Sequence, residues 1–157
     1  MSLKVNLRHL EKNDLHLKGD LPPEELELGL TDEMMLAKKP LHYDLEVETV
    51  EPGILVRGKL DLTLDCECVR CLKTFEKRIV FEDWTVHLPL EGEEKVAVDN
   101  DCVDLTPFIR EDMLLEFPQH PVCKPECAGL KKKKSGRGEV ETGPSAWNEL
   151  DKLNFRK

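Results

Sequence analysis

The sequence predicts a β-rich α+β fold: a small antiparallel sheet or open β-barrel with two or three short helices packed on or beside it. Three observations carry this expectation. Apolar and polar residues alternate with a period of two through the middle of the chain, around residues 41–65. A broad apolar face at helical spacing follows from Leu105 to Phe117. Two close cysteine pairs, one after a strand and one after that helix, fit a four-cysteine zinc knuckle added to such a sheet.

The elements follow in order. Leu3, Val5 and Leu7 alternate and can supply a strand. Pro22 and Pro23 break the chain, and residues 24–30 fit either a short helix or a loop. Leu41, Tyr43, Leu45 and Val47 alternate with His42, Asp44, Glu46 and Glu48, which predicts a half-buried strand. Glu51-Pro52-Gly53 places proline and glycine at the two central positions of a type II turn. Ile54, Val56, Leu60, Leu62 and Leu64 then alternate with Arg57, Lys59, Asp61, Thr63 and Asp65, completing an antiparallel hairpin with one wet face.

A third strand spans about residues 75–88. Phe75, Ile79 and Phe81 share one parity, while Trp84, Val86 and Leu88 share the other, which calls for a bulge or for burial on both faces. Residues 89–101 read as a flexible acidic connection. Thr106 and Pro107 start a helix, with proline at its first position. Leu105, Phe108, Ile109, Met113 and Phe117 share its broad face, into which Asp112 and Glu116 also fall, and Pro118 ends it. Residues 131–143 read as a flexible basic loop, and Pro144 opens a terminal helix over 144–156 with Trp147, Leu150 and Leu153 on one stripe. The whole reads as a single domain, 1–157, with strands and the first cysteine pair in 40–90, the helix and second pair in 104–130, and the first forty residues least defined.

The 157 residues suit one domain with a modest core, since 35% are charged and 39% hydrophobic. The net charge of -9, from 23 basic and 32 acidic residues, opposes non-specific attachment to nucleic acid or anionic lipid. Contact with a polyanion must therefore be local or made through a protein partner. The charge is uneven: Glu91, Glu93, Glu94, Asp99, Asp101 and Asp104 form an acidic stretch, and Lys131, Lys132, Lys133, Lys134 and Arg137 a basic one. No apolar run approaches the roughly 20 residues that span a bilayer. The N-terminus has no export signal, so the expected location is the cytoplasm, where cysteines serve as metal ligands, redox groups or small buried residues.

Cys68-Val69-Arg70-Cys71 is a C-x2-C pair placed after a strand, and Cys123-Lys124-Pro125-Glu126-Cys127 is a C-x3-C pair placed after a helix. Each short spacing lets one turn present two sulfurs to one metal, with backbone N–H groups directed at the sulfurs. The four therefore read as tetrahedral Zn²⁺ ligands, with reduced thiols or a redox couple as the other readings. A site closed by four thiolates would activate no water. Cys66 continues the parity of Leu60, Leu62 and Leu64 and reads as core packing, and Cys102 reads as incidental in an acidic loop. The five histidines, His9, His16, His42, His87 and His120, are scattered; His120, near the second pair, reads as a loop histidine before it reads as a spare ligand. There is no phosphate-cradling glycine loop, nucleophile elbow or H-E-x-x-H, so the chain does not read as an enzyme and implies no small-molecule substrate.

The run Leu64-Asp65-Cys66-Glu67-Cys68-Val69-Arg70-Cys71-Leu72, with Phe75 after it, resembles the C-x-R-C-L-x-x-F signature of the YceD family. These are bacterial and plastid proteins named for accumulation of large-subunit ribosomal RNA. Asp104-Leu105-Thr106 through Leu115, Phe117-Pro118, Cys123, Cys127 and Gly129-Leu130 resemble the second block, and the tail with Trp147, Leu150 and Leu153 the family's terminal helix. The resemblance covers about residues 40–157 and picks out Cys68, Arg70, Cys71, Cys123 and Cys127. Where many cysteine-rich members continue Gly-Leu-Cys, this chain reads Gly129-Leu130-Lys131, which argues against a second metal site. Some members lack the second pair, so metal is not indispensable to the family's role.

The resemblance implies a ribosome biogenesis factor whose partner is large-subunit ribosomal RNA, a ribosomal protein or an assembly factor. Arg70, Lys131, Lys132, Lys133, Lys134 and Arg137 are the candidate contacts, although the lysine run also reads as a merely solvated loop. The competing reading is a zinc-stabilised protein-interaction module with no ribosomal role. Membrane association is not expected.

Overall fold

The computed structural model describes residues 2–11, 13–30 and 34–131. The expected terminal helix, and the basic loop beyond Lys131, lie outside the described residues. In chain order the elements are β1 (Lys4–Asn6), α1 (Leu7–Leu10), β2 (Leu15–Leu21), α2 (Pro23–Leu26), β3 (Met35–Leu36), β4 (Leu41–Val50), β5 (Gly53–Glu67), β6 (Thr74–Pro89), β7 (Val98–Asp99), β8 (Cys102–Asp104) and α3 (Thr106–Leu115). Among the described residues the fold is β-rich and antiparallel, a main sheet curled into a half-barrel and accompanied by three helices, as the alternation and the helical face require.

β5 is the axis of the main sheet. One edge pairs with β4 over Gly53–Asp61 and then with β3 at Asp65 and Cys66; the other edge pairs with β6 along its whole length. β2 extends the sheet beyond β4. A second sheet, in the order β1-β8-β7, stands beside it. Leu41, Leu45, Val47, Ile54, Val56, Leu60, Leu62, Leu64, Ile79, Trp84 and Leu88 form the sheet's buried face, joined in one core with Val5 and Val103 of the small sheet and Leu105, Ile109 and Met113 around α3. Fully burying one such leucine contributes roughly 1.5–3 kcal/mol.

Cross-strand ion pairs occupy the opposite face. Lys18 and His16 meet Asp44 at 3.0 and 2.5 Å, Arg57 lies 3.5 Å from Glu46 and 3.7 Å from Glu48, and Lys59 lies 2.8 Å from Glu82. Arg78 grips Asp61 through Nε and Nη2, and His42 meets Asp20. The Arg78 guanidinium holds the Asp61 carboxyl below the usual carboxylate range, against a smaller opposing effect of burial.

The expected phase shift in the third strand is a β-bulge. Gly58 pairs with Trp84 and Leu60 with Phe81, so Lys59 alone opposes Glu82 and Asp83. Odd-numbered residues face the core before the bulge and even-numbered residues after it. At the same place the backbone of β4 comes so close that a Cβ on Gly58 would lie 2.1 Å from the Asp44 carbonyl oxygen, and Gly58 holds φ 151°.

Several local expectations are corrected. The β4–β5 turn is not type II: Val50 pairs with Gly53, so Glu51 and Pro52 are the central residues, joined by a cis peptide, and Gly53 already belongs to the strand. Leu7 leaves the N-terminal strand and opens α1, where the Asn6 side chain accepts the Arg8 N–H at 3.0 Å. The connection at 89–101 contains β7, and Cys102 lies on β8 opposite Asn6, not in a loop. Pro107 is the second residue of α3, behind Thr106. Thr106 is buried yet satisfied, accepting the Leu3 N–H at 2.9 Å through Oγ1 and donating its own N–H to Asp104 at 2.9 Å. Asp112 sits on the apolar face of α3 because it accepts the indole N–H of buried Trp84 at 2.6 Å.

Two outcomes follow. Gly58→Ala should destabilise the fold by about 3 kcal/mol or more, read as a lowered urea midpoint by circular dichroism. Asp61→Asn should cost roughly 0.5–1 kcal/mol at pH 7. Because the Asp61 pKa is depressed in the folded state, that difference is fully present above about pH 4 and shrinks as the pH falls through the folded value, so the wild-type and Asp61→Asn urea midpoints should lie closer together at pH 3 than at pH 7.

Candidate metal centre

The first cysteine pair lies in the connection between β5 and β6, at the far end of the longest hairpin. The Cys68 N–H donates to the Lys73 carbonyl at 2.9 Å and closes the hairpin; the Leu72 N–H donates to the Cys68 carbonyl at 2.9 Å, with Leu72 at φ 60°. This tight loop turns Cys68 and Cys71 to the same side. The second pair follows α3, in a turn closed by the Cys127 N–H on the Lys124 carbonyl at 3.1 Å.

Hydrogen bonds hold the two loops together. The Val69 N–H donates to the Pro121 carbonyl at 2.9 Å, and Arg70 Nη1 donates to the Cys127 carbonyl at 3.3 Å. Gly129, at φ 80°, passes so near that a Cβ there would stand 3.4 Å from the Arg70 carbonyl oxygen. Arg70 is otherwise exposed, and its guanidinium clamps one loop to the other.

All four sulfurs lie within 4.8 Å of one another. Cys68 Sγ is 3.8 Å from Cys127 Sγ, and Cys71 Sγ is 3.7 Å from Cys123 Sγ. These cross-loop distances are far longer than the roughly 2.05 Å of a disulfide. Zinc–thiolate bonds of about 2.3 Å put the sulfurs of a regular tetrahedron about 3.8 Å apart, so the spacing and the donor set both fit that ion. Each loop gives one buried sulfur, Cys68 at 0% and Cys127 at 8% exposure, and one half-buried sulfur, Cys71 and Cys123.

The electrostatics of the cluster favour one thiolate, at Cys68, and disfavour another, at Cys123. Burial raises the Cys68 thiol, but the backbone N–H groups of Cys123, Cys71 and Arg70 outweigh it and bring the pKa down to about 6. Burial and the crowding thiols of Cys71, Cys127 and Cys68 push Cys123 up to about 12. A divalent cation at the centre is what would let all four ionise together.

Cys66 stands apart from this cluster. It is buried in the core, opposite Met35 and Phe75, and burial pushes its thiol up. His120 is exposed and does not belong to the group of metal-competent side chains, which among the described residues is the four cysteines. Lys131 is exposed beside the cluster; Lys132, Lys133, Lys134 and Arg137 lie outside the described residues. Lys73 and Lys124 also line the cleft next to the cysteines, together with Ala128, Gly129 and Leu130, and the sequence reading did not single them out. Their adjacency to the cysteines was the available signal. Among the described residues, no helix is long and apolar enough to cross a membrane.

A curled antiparallel sheet with a four-thiol knuckle joining its main hairpin to the loop after a helix defines a cysteine-knuckle β domain. A family model described as "Large ribosomal RNA subunit accumulation protein YceD" matches residues 56–154, more than half of the chain, and the chain belongs to that family. The family is thus one named for accumulation of large-subunit ribosomal RNA, and not for a catalysed reaction. Uncharacterized proteins of Mycobacterium bovis and Mycobacterium tuberculosis are each 34% identical over 98 residues, which is 57% of this chain and 47% of theirs. An uncharacterized protein of Mycobacterium leprae is 28% identical over 99 residues, 58% of this chain and 46% of its own. The aligned part therefore spans about half the length of these curated relatives. No solved structure matches the chain.

The site yields a direct measurement. Purified protein should carry about one zinc per chain, with Cys68, Cys71, Cys123 and Cys127 unreactive towards a thiol reagent until a chelator is added. Absence of metal together with rapid titration of all four thiols would show that the cluster is packing alone.

Proposed function

We propose that this protein is a cytoplasmic ribosome biogenesis factor supporting the processing or accumulation of large-subunit ribosomal RNA, and that it acts by binding RNA, a ribosomal protein or an assembly factor rather than by catalysis. The observation that carries the reading is that the family match spans both cysteine blocks, which come together in space as one cluster. Cys68, Cys71, Cys123 and Cys127 would hold a structural Zn²⁺, which would supply cohesion between the loops and leave no open coordination position. The chain's own groups do the rest: Arg70 and the 2.9 Å bond between Val69 and Pro121 fix the loops in register, and the rigid hairpin presents the knuckle at one end of the sheet.

The alternative, a zinc-stabilised module with a protein partner outside the ribosome, is favoured by one observation, the exposure of Val69, Leu72 and Leu130 on and beside the two loops. Deletion of the gene separates the two. The ribosomal reading expects a fall in large-subunit relative to small-subunit ribosomal RNA, restored by the wild-type gene and poorly restored by Cys71→Ser/Cys123→Ser. An unchanged ratio would leave only the alternative.

A further inference from the structure

Cations on the outer face of the main sheet and cations beside the cysteine cluster stand differently towards carboxylates. On the outer face of the main sheet, Lys18, Arg57, Lys59 and Arg78 each meet a carboxylate, so a phosphate arriving there would have to displace a partner already in place. Around the cysteine cluster the situation is reversed. Lys73, Lys124 and Lys131 rim a cleft of about 450 Å³ whose lining also includes Cys71, Cys123, Cys127, Ala128 and Leu130. Among the described residues none of these three ammonium groups meets a carboxylate or donates to a sulfur.

Two of the three lysines are also held in place from behind. The Lys73 carbonyl accepts the Cys68 N–H and the Lys124 carbonyl accepts the Cys127 N–H, so the hydrogen bonds that build the knuckle fix these backbones while the ammonium groups stay free. From Lys131 the sequence continues directly into Lys132, Lys133, Lys134 and Arg137. Three ammonium groups spaced around one rim match the repeated charge of a nucleic-acid backbone better than a single acidic side chain does. Among the described residues the lining contains no aromatic ring on which a base could stack and no side-chain amide or carboxylate to read a base edge.

We propose that this cleft is a phosphate-backbone site, taking an RNA strand by charge and without base readout, with Lys73, Lys124 and Lys131 as its contacts. The proposal rests on the RNA branch of the function proposed above. It locates the contact on the knuckle's lysines and removes it from the sheet face.

The test is fluorescence anisotropy of labelled RNA oligonucleotides with the full-length protein, metal content verified, across a series of salt concentrations. Lys73→Ala/Lys124→Ala should weaken binding about tenfold or more at 0.1 M salt and lower the slope of log K against log salt by about 1.4–1.8, two contacts' share. Lys59→Ala, on the ion-paired sheet face, should leave both unchanged, and two RNAs of unrelated sequence should bind alike. Lys73→Gln/Lys124→Gln, which keeps the polar stems, should repeat the loss if the alanine protein is poorly folded by circular dichroism. Unchanged affinity and slope in the lysine variants, equal loss with Lys59→Ala, or strong preference for one RNA sequence would overturn the proposal. So would an unchanged RNA affinity accompanied by loss of a ribosomal protein from nuclease-treated pull-downs, which would make the cleft a protein dock. None of these outcomes alters the ribosomal RNA ratio on gene deletion, so the site can fail while the wider reading stands.

Discussion

The structure is organised by one strand paired along both edges. β5 runs for 15 residues and has β6 on one side for its full length and β4, then β3, on the other. Its alternation decides which residues of the neighbouring strands face the core, because register in an antiparallel sheet couples every cross-strand pair. Its far end delivers Cys68 directly from the last ladder pair, so the knuckle inherits its position from the sheet. The loop after α3 reaches the same place because Leu105, Ile109 and Met113 anchor that helix in the core. Each half of the cluster is therefore supported by packed structure, and the sulfurs close the gap between two well-held segments.

The legible parts of the fold were those in which burial follows a strict period. Leu60, Leu62, Leu64 and Cys66 are all buried at period two, and the parity change between Phe81 and Trp84 marks the bulge. β2 escaped notice although Leu15, Leu17 and Leu21 alternate, because Gly19 interrupts the apolar series; Gly19 leaves room there for the Tyr43 ring across the strand pair. β7 and β8 were missed for another reason. They span two and three residues, and the pairing of β8 with β1 joins chain segments about a hundred residues apart, which no local window reports.

At the site, residue types and spacings announced four sulfurs in two loops, while their convergence had to come from the fold. Arg70 stood out in the sequence as a partner contact, and the structure adds its hydrogen bond to Cys127, a link between positions 57 residues apart. Asp112 shows the same limit: as an acid on an apolar helical face it looked like a flaw, and only the indole of Trp84 explains it.

The bulge makes β5 and β6 two hairpins in series, joined out of phase. The half nearer the β4–β5 turn and the half nearer the knuckle each have a consistent inside and outside, but the two numberings differ by one. Loss of one residue at Glu82 or Asp83 would leave a single residue opposite Lys59 and a plain ladder through this point, with the apolar side of both halves still inside and the Glu67–Thr74 pair beside the knuckle unmoved. A gap opened at this point when related chains are compared would thus mark a sheet that bends and twists less here, with the first two sulfurs facing as before.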